Sequence, residues 1–231
     1  MRIYGLNKTT LLDYPGHVAA TVFLGGCNFR CPFCHNGDLA LCPEGQPVLA
    51  QGEVLEFLKK RKQVLSGVCI TGGEPTLSDG LEDLIKRIKD MGYMVKLDTN
   101  GYEPGVVRRL VTEGILDYIA MDIKNCMERY GETAGLSYVD VERVRESIKV
   151  IKESAIEYEF RTTIVRELHG KAELEAVGRE IEGAKAYFLQ SYRESAGVIT
   201  PGFHGYDRRG MERLAGYVRP YVERVELRGV E

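Results

Sequence analysis

Apolar runs and amphipathic segments alternate along the chain, and the alternation predicts strands separated by helices. "HVAATVFLGG" (17–26) reads as a buried strand, rich in Val, Phe and Ala. "QGEVLEFLKKRKQVLS" (51–66) sets Val54, Leu55, Leu58 and Leu65 on one helical face. "GVCITGG" (67–73) is a short strand, and "LSDGLEDLIKRIKDMG" (77–92) a helix with Leu81, Leu84, Ile85 and Ile88 at helical spacing and Gly92 as its stop. The pattern then repeats. Strands are expected in "YMVKLDTNG", "ILDYIAMDIKN", "IEYEFRTTIV" and "AKAYFLQSY". Helices are expected in "EPGVVRRLVTEG", with Pro near its first turn, and in "DVERVRESIKVIKES" and "KAELEAVGREIEG". A last helix covers about 207–218, and "VERVELRGV" could add a terminal strand.

Six strands with helices between them imply an α/β fold with a largely parallel sheet, because parallel neighbours need a crossover connection. Periodicity does not say whether the sheet is open or curled into a barrel. Without a Pro/Ser-rich linker or internal repeat, one domain over 1–231 is the simplest reading. The chain has 231 residues and a formal net charge of −3, with 44% hydrophobic and 28% charged residues, values ordinary for a soluble globular protein. This balance gives no electrostatic case for nucleic acid, and no run reaches the length of a membrane-spanning helix. The N-terminus lacks the pattern of a signal peptide, so the cytoplasm is expected.

In parallel α/β folds ligands bind beyond the carboxyl ends of strands. The unusual residues fall there. Cys27, Cys31 and Cys34 follow the first strand, "GGEP" (72–75) the second, "DTNG" (98–101) the third and "MDIKN" (121–125) the fourth, while Gln190 and Arg193 end the sixth. Three cysteines spaced by three and two residues can grip three corners of a cubane iron–sulfur cluster. They can also form a zinc site completed by Cys42; His35, adjacent to Cys34, is poorly placed to share one tetrahedral centre. Spacing alone leaves both readings open. Gly72 and Gly73 would let a ligand approach the backbone, and Glu74 could accept from an ammonium group, although a plain strand-to-helix turn has the same pattern. Asp98 and Asp122 could accept from an amine or ribose, or hold a cation. Lys124 points to the same side as Asp122 on an extended chain and could pair with a carboxylate. Taken singly, each is equally well a solvated charge.

With these residues in place, the chain resembles the radical S-adenosylmethionine enzymes. "CNFRCPFCHN" resembles their cluster-binding loop and "GGEP" their methionine-binding motif. "DTNG" and "MDIK" resemble the subset that activates glycyl-radical enzymes. The opening "TTLLDYPGHVAATVFLGGCNFRCPFCHN" is most similar to the anaerobic ribonucleoside-triphosphate reductase activating proteins, and the likeness covers most of residues 3–192. It implies a partial (β/α)6 barrel over about 17–192, with the C-terminal helix and the strand that could follow it falling within 205–231.

The resemblance also implies a [4Fe-4S] cluster on Cys27, Cys31 and Cys34, with the fourth iron open to S-adenosylmethionine. Phe33 and His35 would line the adenine side, and Gly73 and Glu74 the methionine amino group. Asp98 would help there, or hold a monovalent cation with Thr99 and Asp122; Asp122 could instead reach the ribose. Lys124 would meet the methionine carboxylate. Arg161 and Thr163 would lie near the cofactor, and Gln190 would close the rim. Pyruvate formate-lyase activases place a His after the last strand, whereas this chain has "SYRES", so Arg193 would take the carboxylate contact and that subfamily's substrate transfers less readily.

The implied activity is reductive cleavage of S-adenosylmethionine to a 5′-deoxyadenosyl radical, which removes a hydrogen atom from a backbone glycine of a partner. The implied partner is the anaerobic ribonucleotide reductase large subunit, with a small electron donor such as flavodoxin or ferredoxin. Alternatives are activation of another glycyl-radical enzyme, action on a small molecule as in 7-carboxy-7-deazaguanine synthases, and a non-catalytic zinc module. An apolar rim and an open mouth are expected. Cys69 reads as a core thiol, and Cys126 would look into the mouth. Cys42, Cys69 and Cys126 are all expected to be unliganded. His169 and His204 are expected at the surface, and "YDRRGMERL" as a solvated helix face.

Overall fold

The structure is a computed structural model that describes residues 1–41 and 43–230. Its strands are β1 (Arg2–Thr10), β2 (Ala19–Leu24), β3 (Leu49–Ala50), β4 (Gly67–Gly72), β5 (Met94–Thr99), β6 (Tyr118–Asp122), β7 (Glu157–Ile164), β8 (Tyr187–Ser191) and β9 (Val225–Arg228). Its helices are α1 (Gly37–Leu41), α2 (Gln51–Arg61), α3 (Leu81–Asp90), α4 (Pro104–Thr112), α5 (Tyr130–Ala134), α6 (Val141–Lys152), α7 (Lys171–Glu180) and α8 (Arg208–Val218). The strands form one sheet in the order β3-β1-β2-β4-β5-β6-β7-β8-β9. Pairing is parallel from β2 to β9, and antiparallel where β1 meets β2 and β3. The chain thus has the partial barrel of the expected α/β class.

The six expected strands are present, and β9 extends their parallel run. β1 was not expected. It mixes exposed Lys8 and Thr9 with buried Ile3 and shows no clean alternation. Backbone pairing with β2, through two register irregularities, makes it a strand, and no side-chain period reports such pairing. Leu65 also lies beyond the observed end of α2, buried in the turn before β4.

Alternation along the strands separates two environments. Val68 and Ile70 of β4, Val95 and Leu97 of β5, Ile119 and Met121 of β6, Phe160 of β7 and Leu189 of β8 join the hydrophobic core with the helices. The intervening residues point to the opposite, inner face. There Lys96 and Glu159 are almost fully buried. Burial of charge on this scale requires partners. Arg228 of β9 makes a two-pronged ion pair with Glu159 at 2.6 and 2.8 Å, and its guanidinium lies 3.5 Å from the centre of the Phe188 ring. Tyr118 donates its hydroxyl to Glu159 at 2.9 Å. The sheet curls far enough for Leu12 and Asp13, after β1, to share a cavity of ≈ 360 Å³ with Arg228 and Gly229 at its other end.

α8 corrects one expectation. Its "RRGMERL" stretch is amphipathic, with Gly210, Met211 and Leu214 buried and Arg209 and Arg213 exposed, because the helix packs on α7 and β9. Among the described residues no helix is long and apolar enough to cross a membrane.

Candidate active site

The segment after β2 carries the three cysteines and is tied down on every side. Phe29 and Phe33 are buried anchors. The Cys34 amide donates to the Cys31 carbonyl at 3.0 Å, closing a tight turn, and the Arg30 amide donates to the carbonyl of Ala134 at the end of α5 at 2.7 Å. Asn36 donates to the Gly72 carbonyl at 3.0 Å, and Thr200 donates its amide to the Pro32 carbonyl at 2.8 Å. Cys27 and Cys34 are partly exposed and Cys31 is buried. Burial pushes the Cys31 thiol up to about 12, against the pull of Lys124, and raises Cys27 as well.

The diglycine turn after β4 packs directly against this segment. Gly72 has φ +123°, and a Cβ there would overlap the Leu24 carbonyl; one on Gly73 would overlap the Gly26 carbonyl. Absent side chains let Gly73 and Glu74 donate their amides to Leu24 and Gly26, each at 2.8 Å.

Glu74 then joins three loops. Its Oε1 accepts from Thr76, through amide and hydroxyl, and from the Thr99 hydroxyl at 2.7 Å. Its Oε2 accepts from the Asn100 amide at 2.6 Å. Burial raises the carboxyl's pKa even though these donors favour the ion. An amide at this position must turn its NH2 toward chain donors. Leaving a buried donor unpaired costs about 1–3 kcal/mol. Glu74→Gln is therefore expected to lower the urea midpoint of the cluster-free protein by that amount of stability. An unchanged midpoint would show that Glu74 does not hold the loops together.

Beyond Glu74 the rim is charged. Lys96 pairs with Asp98, and Arg161 pairs with Asp98 at 3.0 Å and with Asp122. Lys124 pairs with Asp122 at 3.1 Å. The register of β6 and β7 places Asp122 beside Arg161. Three cations therefore face two carboxylates in a line from the barrel interior to the cysteines. Burial works against ionisation of both aspartates, but Arg161 and their lysine neighbours overcome it and hold both carboxyls below the usual carboxylate range. Burial likewise opposes the charges on Lys124 and Arg161, and the aspartates keep both firmly protonated.

The cysteine loop, the diglycine turn and the strand-end charges other than Lys96 line one cavity of ≈ 450 Å³. Cys27, Cys31, Cys34, Phe33, His35, Gly73, Glu74, Asp98, Thr99, Asp122, Lys124, Arg161, Thr163 and Gln190 all contribute to its wall. Arg193 does not line it: its guanidinium donates to the Gly229 carbonyl at 3.3 Å, and its own carbonyl meets His35 Nε2 at 2.6 Å. His35 also stacks on Tyr192 at 5.4 Å. The wall is polar and charged along the strand ends, in place of the expected apolar rim.

Sequence reasoning passed over Asp13, Asn36 and Asn100, which line the same cavity. Asn100 falls inside "DTNG", and its side chain donates to Asn28 at 2.7 Å beside Cys27. Two further expectations are corrected. Cys126 is buried at the N-terminal flank of the short helical turn after β6 and does not enter the cavity wall. His169 is buried, not at the surface, because the turn closing β7 folds it beneath Lys124. His204 is exposed and pairs with Glu167 at 2.7 Å. Cys69 is a buried core thiol, and Cys42 lies outside the described residues. Among the described residues, no three His, Cys, Asp or Glu side chains converge on a position for a single metal ion.

Comparison with known proteins agrees with this geometry. MJ1227 of Methanocaldococcus jannaschii, provisionally named a glycyl-radical enzyme activating enzyme, is 30% identical over 195 residues, 82% of this chain and 79% of that protein. The pyruvate formate-lyase-activating enzyme of Clostridium pasteurianum is 33% identical over 129 residues, 54% of this chain and 52% of that one. The crystal structure of Streptococcus suis SuiB superposes with a TM-score of 0.72 at 17% identity, covering 91% of this chain and 49% of SuiB, a likeness of fold. The chain thus spans about half the length of the latter two proteins. The family model described as the Radical SAM superfamily matches residues 21–173. That match runs from β2 into α7 and takes in the cysteine loop, the diglycine turn and the charged rim; the chain belongs to the radical SAM superfamily.

Proposed function

We propose that the protein generates a glycyl radical on a partner enzyme, with anaerobic ribonucleotide reductase as the first candidate. The superfamily implies a [4Fe-4S] cluster and S-adenosylmethionine, and the residues present fit both. The observation that carries the reading is the convergence of three thiols and a rim of paired charges, Lys124 and Arg161 among them, on one cavity. When bound, the cluster and cofactor supply one-electron cleavage of a sulfonium to a 5′-deoxyadenosyl radical.

The chain's own task is to bind, orient and exclude water. Cys27, Cys31 and Cys34 would hold the cluster, with Cys31 and its buried flanking phenylalanines shielding it from solvent. Lys124 and Arg161, fixed by two aspartates, would receive the cofactor's carboxylate. Glu74 Oε2, which accepts one chain donor, retains a lone pair for an ammonium group. Asp98, Thr99 and Asp122 offer further acceptors, while Thr163 and Gln190 complete the wall and Gln190 is shared with the second cavity. A monovalent cation between Asp98 and Asp122 would compete for the place taken by the Arg161 guanidinium, so the site is proposed to work without one. A small reductant such as flavodoxin or ferredoxin, and a cytoplasmic setting, complete the proposal.

Two measurements test it. The protein is loaded anaerobically with iron and sulfide, then reduced with S-adenosylmethionine present. Formation of 5′-deoxyadenosine is expected, and none from a fully loaded sample would sink the enzymatic reading. Co-incubation with the reductase large subunit should then give a glycyl EPR doublet. Cofactor cleavage without that doublet in any glycyl-radical enzyme would redirect the reading to a small-molecule substrate.

A further inference from the structure

We propose that His169 is a positioning residue that holds Lys124 and the cysteine loop in one register through a neutral imidazole protonated on Nε2. The inference rests on the cofactor role proposed for Lys124.

His169 follows β7 and immediately precedes Gly170, the N-cap of α7. The residue is 1% exposed. Nδ1 lies 3.0 Å from the Val165 amide, which can only donate, so Nδ1 must accept. Nε2 lies 2.8 Å from the Lys124 carbonyl, which can only accept, so Nε2 must carry the proton. The Val165 carbonyl, 3.2 Å from Nδ1, already receives the backbone amide of His169 at 2.8 Å. An imidazolium would set one N–H against another at Val165. Burial lowers the His169 pKa and keeps the ring neutral.

The ring's other neighbour is Phe33, which lies between Cys31 and Cys34 in sequence. The two rings meet edge-on, with centroids 6.4 Å apart. One imidazole therefore touches both the loop that carries the thiols and the backbone of the lysine facing them. The rest of that backbone is also committed: the Ile123 amide donates to the Arg161 carbonyl at 2.8 Å, and the Ile123 carbonyl accepts the Thr162 hydroxyl at 2.6 Å. The Lys124 carbonyl is the remaining pivot, and His169 closes it. Tyr206 in turn donates to the His169 carbonyl at 2.8 Å, fixing the histidine from the segment before α8.

Two substitutions separate the contacts. His169→Phe keeps a ring against Phe33 and loses the donor to Lys124; His169→Gln keeps a donor and loses the ring. The tautomer is read first by long-range ¹H–¹⁵N NMR on the cluster-free protein, where a neutral ring protonated on Nε2 is expected at neutral pH. An Nδ1–H tautomer or an imidazolium overturns the proposal. Iron content, melting temperature and the cofactor-induced change in the EPR spectrum of the reduced cluster are then compared. His169→Phe is expected to hold full iron and to bind S-adenosylmethionine about tenfold more weakly, the scale of one hydrogen bond. His169→Gln is expected to recover most of that binding. Wild-type affinity in His169→Phe, or equal losses in both variants, overturns the proposal. Should His169→Phe fail to fold, His169→Asn carries the comparison: it can serve Val165 but is too short for Lys124, and wild-type binding by it is equally fatal. If the wild-type spectrum itself does not respond to cofactor, the functional reading fails and takes this one with it; a wild-type response shared unaltered by His169→Phe overturns this one alone.

Discussion

Cys31→Ser protein, treated anaerobically with iron and sulfide, is expected to retain no stoichiometric cluster, to stay colourless, and to form 5′-deoxyadenosine only at background level. Cys31 is the most buried of the three loop cysteines and lines the cavity, flanked in sequence by Phe29 and Phe33. A serine hydroxyl is a hard, weakly acidic donor and does not replace a thiolate on iron. The matched control is Cys69→Ser. Cys69 is also buried but lies on β4, 3.9 Å from Lys96, and does not line the thiol cavity. That variant should load iron normally. Normal iron in Cys31→Ser, or loss of iron in Cys69→Ser alone, would show that the wrong thiols have been assigned.

Arg161→Met should be the most damaging change outside the cysteines. The guanidinium, 12% exposed in its side chain, bridges Asp98 and Asp122. Its removal leaves two carboxylates facing each other in a buried setting. Removing one partner of a buried ion pair costs about 3–5 kcal/mol, and the surviving Lys96 and Lys124 contacts put this case at the lower end. Cofactor binding should fall to the detection limit, because the same change removes one of the two cations, Lys124 and Arg161, that line the cavity. Replacing sodium and potassium by a bulky organic cation should leave wild-type cofactor binding unchanged and weaken any residual binding in the variant. A wild-type requirement for a small cation would contradict the place given to Arg161.

The same pairs set an acid limit. Asp98 and Asp122 have folded pKa values below their unfolded values. Their contribution to stability is complete above the unfolded value of about 4 and is lost as pH falls below it toward the folded values. The stability gap between wild type and Asp122→Asn should therefore be full at neutral pH and close below about pH 4. Urea midpoints of the cluster-free proteins measure it, and a gap that is constant down to pH 3 would show that the Asp122 charge is not what stabilises the fold.

Much of this site was legible without coordinates, for a definite reason. In a parallel sheet, chemistry collects at strand carboxyl ends, so locating the strands locates the site. "GGEP", "DTNG" and "MDIK" could be placed on one rim because each follows an apolar run. Lys124 and Asp122 could be put on one side because an extended chain alternates. His169 could not be placed in this way. It lies in an irregular turn whose path depends on Lys124, 45 residues earlier, and on Tyr206, 37 residues later. Arg193 illustrates the opposite case: it stands at the expected strand end, but backbone geometry after β8 turns its side chain toward Gly229.

By itself, the sequence determined the α/β class, the six core parallel strands and the thiol loop, because local periodicity and short-range spacing encode them. Only the tertiary structure decided how the charges pair. Lys96, Asp98, Arg161, Asp122 and Lys124 come from three strands and the loop beyond one of them, and each is an ordinary charged residue until the sheet curls and buries it. Once buried, each must find an opposite charge within hydrogen-bond reach. That requirement, absent from any local stretch of chain, makes a row of strand-end residues into one electrostatically coupled site.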